Sequence, residues 1–147
     1  MSSKNMTYAL DRRRFVADQS DRYALKDSGE NSGMAQEFAR KLAATPLDKS
    51  GLRGLESLAW STDSVGDIVD YIRVRVGRDN RGTWSSGGVG QRLARTLEED
   101  LQKDAKAFGT DQATATENRL LHLDLCREFI KHLVAHFEFE KSGVKHE

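Results

Sequence analysis

Apolar residues recur at every third or fourth position through most of this chain, and a single proline, Pro46, is the only residue that forbids helix continuation. That spacing puts apolar side chains on one face of a 3.6-residue helix. The scarcity of proline leaves long backbone stretches free to make helical hydrogen bonds. Met34, Phe38 and Leu42 form the first clear stripe, which Thr45 and Pro46 end, because a residue before proline avoids the helical region. Leu52, Leu55, Leu58 and Ala59 form the next, just after Ser50. Thr62, Asp63 or Ser64 can cap a helix carrying Val65, Ile68, Val69, Ile72 and Val76. The β-branched run from Ile72 to Val76 also suits a strand, but no second strand is available to pair with it, so helix is expected. Val89, Leu93, Leu97, Leu101, Ala105 and Phe108 predict one strong helix that Gly109 closes. Thr114 or Thr116 opens the last, about 25 residues long by its apolar pattern, carrying Leu120, Leu121, Leu125, Phe129, Leu133, Val134 and Phe137. The expected fold is all-α: one domain over residues 1–147, a bundle of five or six helices with a long C-terminal helix.

Two ends depart from this pattern. Residues 1–32 are polar and predict loose structure, and Arg12, Arg13 and Arg14 sit among Asp11, Asp18 and Asp21 as a solvated face. Residues 142–147 are expected to fray. The chain's 147 residues suffice for one core. Its one cysteine, Cys126, excludes an intrachain disulfide and is expected as a buried apolar residue in a reducing cytoplasm. No stretch approaches the ~20 apolar residues of a membrane span, so no membrane partner is expected. Four histidines and one cysteine leave little for a metal site. His132 and His136 have zinc-ligand spacing but no third ligand is evident, and no metal or other cofactor is expected.

Charge is the second constraint. The chain is formally neutral, yet residues 71–95 hold six arginines and one acid, Asp79. Arg73 and Arg75 fall at the end of one predicted helix. Arg78 and Arg81 fall in a basic glycine-rich loop over residues 77–88, and Arg92 and Arg95 at the start of the next helix. A local arginine surface on a neutral protein points to a phosphate-bearing partner, and RNA is the commonest large one. The amides of Gly88 to Gly90, at a helix N-terminus, are candidate anion donors. Trp84 is either a base-stacking platform beside the arginines or a core anchor that pins the loop. The predicted RNA-binding set is Arg73, Arg75, Arg78, Arg81, Trp84, Arg92 and Arg95. The competing reading is a surface loop whose arginines pair with nearby acids.

The last helix holds Arg127 and His132 five positions apart. This Arg-x4-His spacing resembles the active-site motif of HEPN ribonucleases, small all-α proteins in which two copies meet across a dimer. The resemblance implies general acid–base work for His132 and stabilisation of phosphorane charge by Arg127. Glu128 departs from that pattern, where a neutral amide or histidine is commoner.

Farther along, Phe129, Leu133, Val134, Ala135, His136, Phe137 and Phe139 precede Lys141, Ser142 and Gly143. This run resembles the closing helix of the small all-α subunit of type III CRISPR effector complexes. The resemblance covers about 15 residues of the chain. It implies a non-catalytic protein of antiviral defence. Such a subunit would sit with other protein subunits, and further copies of itself, in a ribonucleoprotein and touch the backbone of guide and target RNA. A third expectation is a helical adaptor that binds another protein through the apolar remainder of the last helix.

Overall fold

The computed structural model describes residues 3–27, 32–109 and 114–143. Helices α1 (Ser3–Ala24), α2 (Met34–Ala43), α3 (Lys49–Ser61) and α4 (Val65–Arg78) are followed by a 3₁₀ turn, Ser86–Gly88. Next come α5 (Val89–Arg95), a π-helical turn (Thr96–Asp100), α6 (Leu101–Phe108) and α7 (Ala115–Lys141). No strand occurs among the described residues, so Ile72 to Val76 is helical. The fold is all-α, as the apolar spacing predicts.

The caps are local chemistry. The Asp48 carboxylate accepts from Gly51 N at 3.0 Å at the start of α3. Ser64 Oγ accepts from Asp67 N to open α4, and Thr114 Oγ1 from Glu117 N to open α7. Each satisfies an orphan amide of a first turn. Ser142 and Gly143 form a turn after α7, and residues 144–147 lie outside the described residues.

α7 is the axis of the core. Its Leu121, Leu125, Phe129, Ile130, Leu133 and Phe137 are buried against Leu42 of α2, Leu52 and Leu55 of α3, and Ile68 and Ile72 of α4. Each such side chain, fully buried, contributes about 1.5–3 kcal/mol of hydrophobic free energy. Cys126 is buried among them, and burial pushes its thiol pKa up.

The N-terminal segment corrects the sequence-based expectation. Residues predicted to be loosely structured form α1, a 22-residue helix. It docks on α7 by polar contacts: Arg12 Nη2 to Asp124 Oδ2 at 2.6 Å, Ser20 Oγ to His132 Nε2 at 2.8 Å, and His136 Nε2 to Ala24 O at 3.1 Å. All three pairs are separated by 112 residues, so the two helices run parallel in fixed register. Tyr23, Ala24 and half-buried residues such as Phe15 and Val16 add apolar contact.

The predicted helix Val89–Phe108 is continuous but interrupted by the π turn, where Leu101 N–H bonds to Thr96 O. Its apolar residues repeat at intervals of four, which in an α-helix turns the stripe by about 40° per step. A turn widened to i→i+5 brings the stripe back toward the core. Leu97 O meets α7, accepting from His122 Nε2 at 2.7 Å and from Cys126 Sγ at 3.5 Å.

Candidate nucleic-acid interface

The lone acid of the arginine segment organises its loop. Asp79 Oδ1 accepts from Arg81 N at 3.1 Å and Thr83 Oγ1 at 2.9 Å, while Oδ2 accepts from Ser85 N at 2.8 Å and from Ser85 Oγ. These donors, Ser85 foremost, hold the carboxyl well below the usual carboxylate range. The loop between α4 and α5 is therefore a fixed structure. Gly88 caps α5 in a left-handed conformation, φ 73°. Gly90 packs so closely that a Cβ there would lie 2.5 Å from Trp84 O and 2.6 Å from Val76 Cγ2.

One expectation about this loop is corrected and one open alternative is decided. Gly88 N bonds to Ser85 O, Val89 N to Ser86 O and Gly90 N to Trp84 O, so these amides are spent inside the loop and cannot receive an anion. Trp84 is 4% exposed and belongs to the core, so its ring is the anchor of the loop and not a stacking platform.

The six arginines fall into unlike settings. Arg73 reaches Glu98 at 3.4 Å, and Arg95 reaches Glu99 at 3.0 Å. Both pairs are exposed, and surface ion pairs of this kind are worth about 0–1 kcal/mol. Arg75 lies over the Tyr71 ring, 3.5 Å from its centroid. Arg75, Arg78, Arg81 and Arg92 make no ion pair among the described residues. The Arg81 charge is felt by Asp48, whose carboxyl is held low mainly by its bonds to Ser50 and Gly51. Arg75 and Arg78 are three apart and share a face of α4, whereas Arg73 falls on another. Arg92 and Arg95 meet Lys41, Glu37, Met34 and Phe38 of α2 across a cleft of about 270 Å³. Lys41, a wall of that cleft, is not legible as its neighbour in the sequence because it lies 51 residues before Arg92 on a separate helix.

Arg127 and His132 do not converge. Five residues at about 100° each leave them about 140° apart on α7. Arg127 Nε donates to Ala59 O at 2.8 Å and Nη2 to Thr62 O at 2.9 Å, closing the carbonyl end of α3. His132 faces α1 through Ser20. Burial, then the Lys131 charge, keeps the His132 pKa below its ordinary value. His136, its zinc-spaced neighbour, bonds to Ala24 O. Of the apolar residues of α7, Leu120 and Phe139 are the large ones left exposed.

No protein-family model, curated protein or solved structure matches this chain.

Proposed function

We propose that this chain is a non-catalytic helical subunit that contacts the RNA backbone of a ribonucleoprotein through its arginine surface. One observation carries the reading: the end of α4 presents Arg75 and Arg78, and the loop that Asp79 ties together presents Arg81, with no ion pair to any of the three among the described residues. Guanidinium groups carried on a held backbone and left unneutralised suit phosphate, which they grip in bidentate geometry. Phosphate contact carries no sequence information, which suits a subunit that rides on any guide–target duplex. The weak pairs of Arg73 and Arg95 can be exchanged for phosphate at small cost. Assembly with partner subunits of a type III CRISPR-like complex follows from the resemblance of the last helix.

The test is fluorescence anisotropy of labelled single-stranded and duplex RNA with the purified chain over a salt series. The wild type is expected to bind with an affinity that falls steeply with salt. Arg78→Glu with Arg81→Glu is expected to weaken binding by tenfold or more. His132→Ala is expected to leave it unchanged. Equal binding by the charge-reversed variant and the wild type overturns the proposal.

A further inference from the structure

A second cleft, of about 280 Å³, opens between α6 and the start of α7, lined by Gln102, Ala105, Lys106, Asn118, Arg119 and His122. It uses none of the arginines of residues 71–95. Among the described residues no carboxylate lines it; two cations and two side-chain amides do.

His122 is the informative wall. It is 8% exposed, and its Nε2 lies 2.7 Å from Leu97 O. A carbonyl only accepts, so Nε2 carries the hydrogen and Nδ1 carries the lone pair. That is the one hydrogen bond of the ring among the described residues. No buried side-chain nitrogen or oxygen among those residues is left unsatisfied, so Nδ1 reaches open space, and the cleft is the opening that His122 borders. Arg119 gives one Nη1–H to Asp63 O at 2.8 Å and keeps its other donors. Lys106 is exposed at the rim.

We propose that this cleft binds a phosphomonoester group, with Lys106 and Arg119 on its anionic oxygens and His122 Nδ1 sharing a proton with a third. A lone pair that opens on the cleft accepts from a ligand that brings its own hydrogen. A phosphomonoester, with a second pKa of about 6, retains one on part of its population at neutral pH. Sulfate brings none. Burial holds the imidazole neutral, against the opposing pull of Leu97 O and the Glu98 charge from the π turn. At about 30 Å³ per water, the cleft has room for a phosphate and several waters. Free phosphate and the terminal phosphate of a nucleotide or oligonucleotide share this chemistry.

The experiment is an NMR titration of the full chain, following the His122 ring resonances. Inorganic phosphate, sulfate, and a short oligonucleotide with a 5′-phosphate or a 5′-hydroxyl are added in turn. Phosphate is expected to move the His122 resonance and raise its apparent pKa, and sulfate to do neither. Tighter binding of the 5′-phosphorylated oligonucleotide than of inorganic phosphate identifies a terminal phosphate as the ligand; an advantage for inorganic phosphate identifies the free ion. Lys106→Ala, at an exposed position, is expected to weaken phosphate binding at least about tenfold with the fold intact. Repeating the titration in Arg78→Glu with Arg81→Glu keeps the RNA-backbone surface apart, and an unchanged His122 response is expected. Silence of His122 toward every phosphate species, a response that sulfate matches, or a response that Lys106→Ala leaves unchanged overturns the proposal.

Discussion

α1 and α2 both dock on α7, by opposite means. α2 buries Ala35, Phe38, Ala39 and Leu42, a continuous apolar stripe. α1 holds the same partner with Arg12, Ser20 and the Ala24 carbonyl, each meeting the residue 112 positions later. Apolar burial is strong but non-directional, so it fixes that α2 docks more than where. Hydrogen bonds are individually worth about 1 kcal/mol net but demand named partners, so they fix the register of α1. The contrast teaches that the stability and the alignment of this bundle come from different helices.

The largest effect separates the two. Leu42→Ala, at a fully buried site, is expected to cost about 2–5 kcal/mol through lost burial and the cavity left behind. Urea unfolding followed by circular dichroism measures it. Ser20→Ala is expected to cost about 1–2 kcal/mol, by leaving His132 Nε2 without its partner in a half-buried setting. If Ser20→Ala proves the costlier, polar contacts and not the apolar stripe carry the docking on α7.

The same contrast explains what was legible. α2, the helix from Val89 to Phe108 and α7 announce themselves because their apolar residues are their contacts. α1 does not, because Arg12 and Ser20 look like any solvated residues until Asp124 and His132 are opposite them. Even the π turn left a trace, in intervals of four from Val89 to Ala105 that an α-helix cannot keep on one face. In the candidate interface, the arginines were legible as charge, but Asp79 was not legible as the hub that spends itself on loop amides and hydroxyls. Glycines and tryptophan beside arginines suit both a phosphate cradle and a tight turn. Only the bonds from Gly88 and Gly90 to loop carbonyls, and the burial of Trp84, decide for the turn. In the run resembling type III small subunits, Phe129, Leu133, Val134 and Phe137 are buried, while Ala135 and Phe139 are exposed. The buried members speak to packing, and the arginines that would meet RNA lie elsewhere in the chain.

Acid should loosen α1 in particular. The His132 pKa is lowered in the fold, chiefly by burial and then by Lys131 and His136, with Glu128 and, from α1, Asp21 pulling the other way. The unfolded chain takes up this proton near the ordinary value of about 6.5 and the folded chain only below it. Below about 6.5, therefore, the unfolded state binds more protons, and stability falls as pH drops toward the folded value; above it the contribution is fully present. His122, which faces Leu97 instead of α1, acts in the same direction. Hydrogen exchange separates the two: protection of α1 amides is expected to fall more between pH 7.5 and 5.5 than protection of α2. A uniform loss would mean that His132 does not hold α1 apart from the rest.

The smallest effect is the sharpest test of whether the polar ladder differs from ordinary surface charge. Arg12 and Asp124 are 27% and 34% exposed in their pair, whereas Lys41 and Glu37, on α2, are 43% and 58% exposed. The first joins two helices and is shared with Arg127, which reaches Asp124 at 3.4 Å. The second joins adjacent turns of one helix. Double-mutant cycles are expected to give a coupling of up to about 1 kcal/mol for Arg12 with Asp124 and about 0.3 kcal/mol for Lys41 with Glu37. The first should also persist longer as salt is raised, because its partners are less exposed to screening. Equal couplings with equal salt dependence would reduce the constant 112-residue register to a by-product of apolar contacts at Phe15, Val16 and Tyr23, and α1 would then differ from α2 in degree alone.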